Sequence, residues 1–275
     1  MNSGIIQNYS LLKPRLFILP VFLLAALIIF LYTHDALNIN GYIHIQERYF
    51  ISINSTLSAF PEIMFNITQL GDALIFLSLL SVLLIYAPVI WESLLSASLI
   101  TLLVSALLKN FFAVPRPAAF LNNNSFVIIG EKLPGHSSLP SGHSITIFTT
   151  LTVLLFAFIP HKTNQRFWWF FLFVVTGLSM SFTRVGIGAH YPLDVLVGAT
   201  VGYLCGLSGI FFSRRFKAWA WMSNKKYYPV LFLLLIMAGF LLISRIMDQH
   251  LPIFYLALAS LIFSLYKITD VYFTK

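Results

Sequence analysis

Apolar runs long enough to cross a bilayer constrain this chain more than any other feature of its sequence. Eight of them can be marked, over residues 16–32, 73–90, 93–108, 144–160, 167–182, 193–212, 230–244 and 253–266. Crossing the hydrocarbon core takes roughly 17–25 helical residues, so several runs sit at the short limit. The chain is 59% hydrophobic and 9% charged, whereas soluble domains carry roughly 25% charged residues. So little polar surface cannot cover a soluble globule, and lipid is the expected solvent for most of the chain. The expected fold class is all-α, a polytopic transmembrane helical bundle.

The first run follows Lys13 and Arg15 and has the charged start and apolar middle of a signal peptide. Residues Thr33-His34-Asp35-Ala36-Leu37 offer no convincing small-residue cleavage site, so a retained helix is expected. The net charge of +8 does not point to nucleic acid, because the basic residues gather in short loops between apolar runs. With the N-terminus in the cytoplasm, eight crossings place Lys13, Arg15, Lys162, Arg166, Arg214, Arg215, Lys217, Lys225, Lys226, Lys267 and Lys275 inside. Arg48, Lys109, Arg116, Lys132, Arg184 and Arg245 fall outside. That asymmetry follows the positive-inside rule and puts both termini in the cytoplasm.

Segment 37–71 carries an approximate apolar stripe (Ile43, Ile45, Tyr49, Phe50, Ile53, Leu57, Phe60) broken at Pro61. It reads either as one or two interfacial helices on the outer surface or as a packed outer loop. Segment 113–140, with Pro115, Pro117, Pro134, Gly135 and Pro140, reads as an outer loop. The one cysteine, Cys205, lies inside an apolar run and excludes an intramolecular disulfide. Gly198, Gly202 and Gly206 form a small-residue stripe, a helix-packing surface that also offers a route to an oligomer.

Polar residues gather at three places, each at the outer end of a run. Lys109-Asn-Phe-Phe-Ala-Val-Pro-Arg116-Pro117 closes the third run, and Pro140-Ser141-Gly142-His143 opens the fourth. Thr183-Arg184-Val-Gly-Ile-Gly-Ala-His190-Tyr-Pro-Leu-Asp194 links the fifth and sixth. The topology drawn from apolar runs and charge puts all three on one membrane face. Lys109, Arg116 and Arg184 suit the charge of a phosphomonoester, Arg through its planar fork of donors and Lys as a point charge. The backbone N–H groups of Ser141 and Gly142, with the Ser141 hydroxyl, are expected to form an anion nest before a helix. His190 and Asp194 are spaced i, i+4, so one helical face can bring them together. Asp194 would then hold one ring nitrogen and leave the other free. The residues alone do not say which of His143 and His190 is nucleophile and which is acid.

These words resemble the type 2 phosphatidic acid phosphatase (PAP2) family, integral membrane lipid phosphatases that share an active site with vanadium haloperoxidases. The family pattern is Lys-x6-Arg-Pro, then Pro-Ser-Gly-His, then Ser-Arg-x5-His-x3-Asp. The chain matches every fixed position except Thr183, where the family has Ser. A lone four-residue word arises by chance in about one chain of this length in several hundred. Three in order, each at the end of the right run, are far rarer. The resemblance covers about residues 70–212. It implies a six-helix core, extended here by a C-terminal transmembrane hairpin. It also implies His190 as the nucleophile that forms a phosphohistidine, and His143 as the acid.

Three parts are expected: an N-terminal transmembrane helix with the interfacial segment (1–70), the catalytic core (71–212), and a basic cytoplasmic loop with the hairpin (213–275). The expected function is metal-independent hydrolysis of a phosphate or diphosphate on a lipid held in the bilayer. Undecaprenyl diphosphate, phosphatidylglycerol phosphate, phosphatidic acid and lipid A phosphates are all substrates known in the family. A phosphotransferase that moves phosphate from a polyprenyl diphosphate to another lipid would use the same residues. No metal or cofactor is expected, since no HExxH, CxxC, Walker A or carboxylate cluster occurs. Compact loops suggest a bacterial inner-membrane enzyme whose site faces the periplasm. Two rivals are a haloperoxidase, which would need bound vanadate, and a non-catalytic transporter. Elsewhere, His34, His44, His161 and His250 read as surface residues, and His136 as a loop residue near the second motif. Asp72 and Glu62 read as membrane-edge residues or as the lining of a lipid access path.

Overall fold

The computed structural model describes residues 1–274; Lys275, one of the inner basic residues above, lies outside them. The helices in order are α1 (Asn2–Ser10), α2 (Ile18–Thr33), α3 (Ile39–Leu57), α4 (Pro61–Thr68), α5 (Ala73–Leu79), α6 (Leu83–Tyr86) and α7 (Pro88–Phe112). They continue with α8 (Pro117–Phe120), α9 (Gly142–Ala157), α10 (Thr163–Gly186), α11 (Pro192–Phe216), α12 (Tyr228–Asp248) and α13 (Pro252–Phe273). No strand occurs among the described residues. The protein is a multi-pass, all-helical membrane bundle.

Six segments, built on α2, α7, α10, α11, α12 and α13, are long and apolar enough to cross a bilayer, and α9 is a shorter apolar helix. On α2, Leu19, Phe22, Leu23, Ile28 and Ile29 are all exposed, as a helix dissolved in lipid requires.

The crossing expected at 73–90 is not one helix. Pro61–Gly71 and Ala73–Leu79 meet at 81°. The chain then turns at 80–82, forms α6, and breaks at Ala87 before Pro88 opens α7. Pro88 has no N–H to continue a helix and suits a first turn, so the apolar run divides there. The polar groups freed by these breaks are met within the protein. Asp72 accepts from the Leu74 N–H at 2.9 Å, and the Leu80 carbonyl accepts from Trp91 Nε1 at 3.0 Å. The Ser81 hydroxyl lies 2.8 Å from that of Ser264. Irregular backbone at membrane depth survives only with such partners.

The segment expected to lie at the outer interface forms α3 and α4. The buried residues of α3 are Tyr42, Ile43, Gln46, Phe50 and Asn54, one face at helical spacing. Helix α1 was not expected. Its Tyr9 hydroxyl donates to the Val153 carbonyl at 3.0 Å and Asn8 donates to Ala157 at 2.8 Å, which fastens it to the end of α9 farthest from His143.

Helix α11 is central because its glycines admit neighbours. A Cβ on Gly198 would stand 2.9 Å from Ser144 Cβ, and one on Gly206 would stand 2.7 Å from Thr152 Cβ. Gly202 presses on the Ile145 backbone, and Gly209 meets Ala97 of α7. The stripe Gly198, Gly202 and Gly206 is therefore spent on the α11–α9 contact inside one chain. This corrects the oligomer route expected from it: the stripe has no free face for a second copy. The α12–α13 hairpin packs on α5 and α6 through Ile75, Leu84, Leu235, Leu242, Phe254 and Leu261.

Candidate active site

Lys109 sits in the last turn of α7, which ends where Ala113 takes a left-handed conformation (φ 45°). The chain then doubles against the loop that precedes α9. Arg116 N donates to the Gly135 carbonyl and Ser138 N to the Val114 carbonyl, each at 2.9 Å. This pairing carries Arg116 and Ser138 inward together. Arg184 lies in the last turn of α10, only 5% exposed, and its Nη1 donates to Thr68 Oγ1 at 3.2 Å. Past it the chain reverses at Gly188 (φ 78°), where a Cβ would stand 2.6 Å from the Val127 carbonyl. Only glycine fits that turn. The turn returns His190 to the end of α11.

Asp194 is fully buried and receives three donors. Tyr42 Oη donates to Oδ1 at 2.7 Å, while Ser138 Oγ (2.6 Å) and Tyr191 N (2.9 Å) donate to Oδ2. His190 Nδ1 lies 3.5 Å from Asp194 Oδ2, a close approach rather than a formed hydrogen bond. Helix α11 starts at Pro192, two residues later than the i, i+4 argument assumed, so the histidine meets Asp194 from the turn before the helix. The carboxylate favours the proton on Nδ1, which leaves the Nε2 lone pair for chemistry. His143, in the first turn of α9, packs against the backbone of Gly71.

The cations outnumber their acceptors. Arg116 Nη1 and Arg184 Nε are buried with no hydrogen-bond partner among the described residues, as is His190 Nδ1. Buried charged donors normally find acceptors, and leaving them unpaired is costly. Guanidinium edges held in this way are matched by an anion with several oxygens. Burial first, then Arg184, Arg116 and Lys109, hold the His190 imidazole well below its ordinary pKa, so the ring is neutral near pH 7. Burial, then the Asp194 carboxylate, hold Tyr42 above its ordinary value, so it remains a donor.

One expected role needs correction. Ser141 does not offer its N–H outward, and only its hydroxyl proton is left to give. Its N–H donates to the Asp194 carbonyl at 3.0 Å, and its hydroxyl accepts from Ser144 Oγ at 2.9 Å as the N-cap of α9. Among the described residues, the free first-turn donors of α9 are instead the N–H groups of Gly142 and His143. Gly142 still has a packing reason, since a Cβ there would stand 3.1 Å from Lys109 Nζ. Thr183, the one departure from the family pattern, turns its hydroxyl back to the Met180 carbonyl at 2.5 Å.

A cleft of about 380 Å³ reaches His143 from the side. Its walls include Gly71, Asp72, Ser105, Gly142 and Thr146. His136 and Glu62 are not among its lining residues.

Several partners of the site went unnoticed in the sequence. Tyr42, Gln46 and Asn54 come from α3. Gln46 accepts from Leu193 N at 2.9 Å, and Asn54 Nδ2 reaches the carbonyls of Val127, Val185 and Gly186, each at 3.0 Å. Thr68 and Ser138 complete the set. A core beginning at residue 71 is thus drawn too late, since four of these five precede it. The available signal was three polar residues on the apolar face of an amphipathic helix, spaced by four and eight residues.

Residues 90–217 match the PAP2 superfamily. The matched stretch is similar to that superfamily and covers just under half of the chain. The PAP2 match spans all six residues that gather around His190. Among curated relatives, the undecaprenyl-diphosphatase of Sulfolobus acidocaldarius is 30% identical, over 38% of this chain and 45% of its own length. A lipid A 1-phosphatase of Rhizobium johnstonii is 31% identical, over 41% of this chain and 43% of its own. The match therefore spans less than half the length of either relative. The crystal structure of Aquifex aeolicus LpxE is similar at a TM-score of 0.50 and 27% identity, covering 61% of this chain and 95% of that one.

Proposed function

We propose that this protein is a PAP2-type integral membrane lipid phosphatase that works through a phosphohistidine. His190 Nε2 attacks the phosphorus, and the bond from phosphorus to the lipid oxygen breaks on the opposite side. Burial and then Arg184 hold the His143 imidazole below its ordinary pKa, so it takes up a proton as the phosphate dianion binds and gives that proton to the leaving oxygen. Water then attacks the phosphohistidine, with His143 taking a proton back, and phosphate leaves. Lys109, Arg116, Arg184 and the N–H groups of Gly142 and His143 hold the charge that spreads over the phosphoryl oxygens. Asp194 orients the nucleophile and stabilises it as it becomes cationic.

The observation that carries this reading is the set of buried, unpaired guanidinium donors beside a neutral His190. The relatives' names support a phosphorylated lipid, with undecaprenyl diphosphate and lipid A 1-phosphate as leading candidates. The charge asymmetry supports both termini in the cytoplasm with the site on the opposite face, and the compact loops suit a bacterial inner membrane with the site facing the periplasm.

The test is phosphate release from a panel of lipid phosphates in detergent with EDTA present. The panel holds undecaprenyl diphosphate, lipid A, phosphatidylglycerol phosphate and phosphatidic acid. Activity should survive EDTA and vanish in His190→Ala and His143→Ala. Loss in EDTA with rescue by Mg²⁺ would sink the mechanism. Phosphate recovered on a second lipid would make the enzyme a phosphotransferase. Reporters at residues 125 and 220 check sidedness, and finding residue 125 in the cytoplasm would overturn it.

A further inference from the structure

The α12–α13 hairpin lies beyond the PAP2 match, which ends at residue 217, and carries none of the motif residues. It is nonetheless bonded to a stretch, 66–81, that touches both Arg184 and His143. On the site's side, Thr68 accepts from Arg184 at 3.2 Å. Gly71 lies so close to His143 that a Cβ would stand 2.5 Å from the histidine Cβ and 2.7 Å from its Cδ2. On the hairpin's side, Arg245 Nη2 donates to Asp72 Oδ2 at 2.9 Å. Ile253 N donates to Asn66 at 3.2 Å, and Ser260 Oγ donates to the Leu79 carbonyl at 2.9 Å.

The stretch bends by 81° at Asp72. A continuous helix fixes its own direction through i to i−4 bonds, but a break carries none, so outside partners set its angle. Here the charged partner is Arg245, which bonds Asp72, the residue next to the glycine that backs the His143 ring. We propose that Arg245 and Asp72 are a positioning pair for His143: the ion pair holds Gly71 against the imidazole and so aims the acid at the leaving lipid oxygen. The inference rests on the proposed function, in which His143 is that acid. It also gives the hairpin a part in the reaction.

The pair is partly exposed, with Arg245 at 42% and Asp72 at 23%. Exposed pairs add little to stability, so removing this one should spare the fold. Asp72→Asn keeps the cap on Leu74 and removes only the charge. The test uses the full chain in detergent and compares kcat/KM on two substrates. From a lipid phosphomonoester such as phosphatidic acid the lipid alcohol leaves as an alkoxide and needs a proton. p-Nitrophenyl phosphate leaves as a stable phenolate and does not.

General acids contribute about 10²–10⁴-fold, so misaiming one should cost about tenfold on the lipid and less than about twofold on the aryl phosphate. Arg245→Gln and Asp72→Asn should both show that split. Arg245→Lys should recover most of the lipid activity, and His143→Ala should show the same split more strongly. Equal losses on both substrates, or no loss on either, would overturn the inference. So would a loss confined to lipids with a second anionic group, which would make Arg245 a substrate ligand. If His190→Ala stays active, the proposed function itself fails and this inference falls with it.

Discussion

The Tyr42 hydroxyl reaches Asp194 Oδ1 at 2.7 Å across 152 residues of sequence. It joins α3 to the carboxylate that faces His190, and both side chains are buried. Tyr42→Phe removes one of three donors and keeps the ring. Losing a buried hydrogen bond to a charged acceptor costs about 1.5–3 kcal/mol. The expected outcome is a lower thermal midpoint and a fall of about tenfold in kcat/KM, since a less firmly held carboxylate orients His190 less well. Full activity in the variant would leave Ser138 and Tyr191 N as sufficient supports.

The acid side of the pH profile should report His190. Its pKa is held well below 6.5 by burial and by Arg184, Arg116 and Lys109. The acid limb of kcat/KM, which reflects the free enzyme, should therefore lie below pH 6.5. Lys109→Met removes one positive charge, so it should move that limb upward while lowering activity. The sign for stability runs the same way. Below about pH 6.5 the unfolded chain binds a proton that the folded ring refuses, so stability falls as pH is lowered through that range. Thermal midpoints measured from pH 7.5 to 5 check this, and a flat profile would count against a buried neutral His190.

Ser141 and Arg116 should separate cleanly. Ser141→Ala removes the N-cap of α9 and should cost about 1 kcal/mol of stability. KM for a lipid phosphate should change far less than in Arg116→Gln, because the hydroxyl is uncharged and its oxygen already accepts from Ser144. Arg116→Gln should lower kcat/KM by about 10² or more with little change in stability, since its role is electrostatic. A large rise in KM in Ser141→Ala would restore the serine as a phosphate ligand.

Much of the molecule was legible from local pattern. Apolar runs and the placement of Lys and Arg mark a helical membrane protein, because lipid demands long apolar helices and charge placement follows topology. The words around Lys109, Arg116, His143, Arg184, His190 and Asp194 carry the family resemblance and the six charged or polar groups of the site. These properties depend on residue type at fixed spacing, which a sequence displays directly.

Only the tertiary structure decided how those six residues are held. Residues 73–90 read as one more apolar run, yet Pro88 and the partners of Leu80 and Ser81 divide it, and those partners come from α7 and α13. Ser141 looks like a phosphate ligand until the Asp194 carbonyl takes its N–H. Tyr42, Thr68 and Arg245 bond to residues more than a hundred positions away, a pairing that no local spacing encodes. The sequence thus determines which groups are the candidates for the chemistry. The fold determines which of their hydrogen bonds are already spent inside the protein and which still face the substrate.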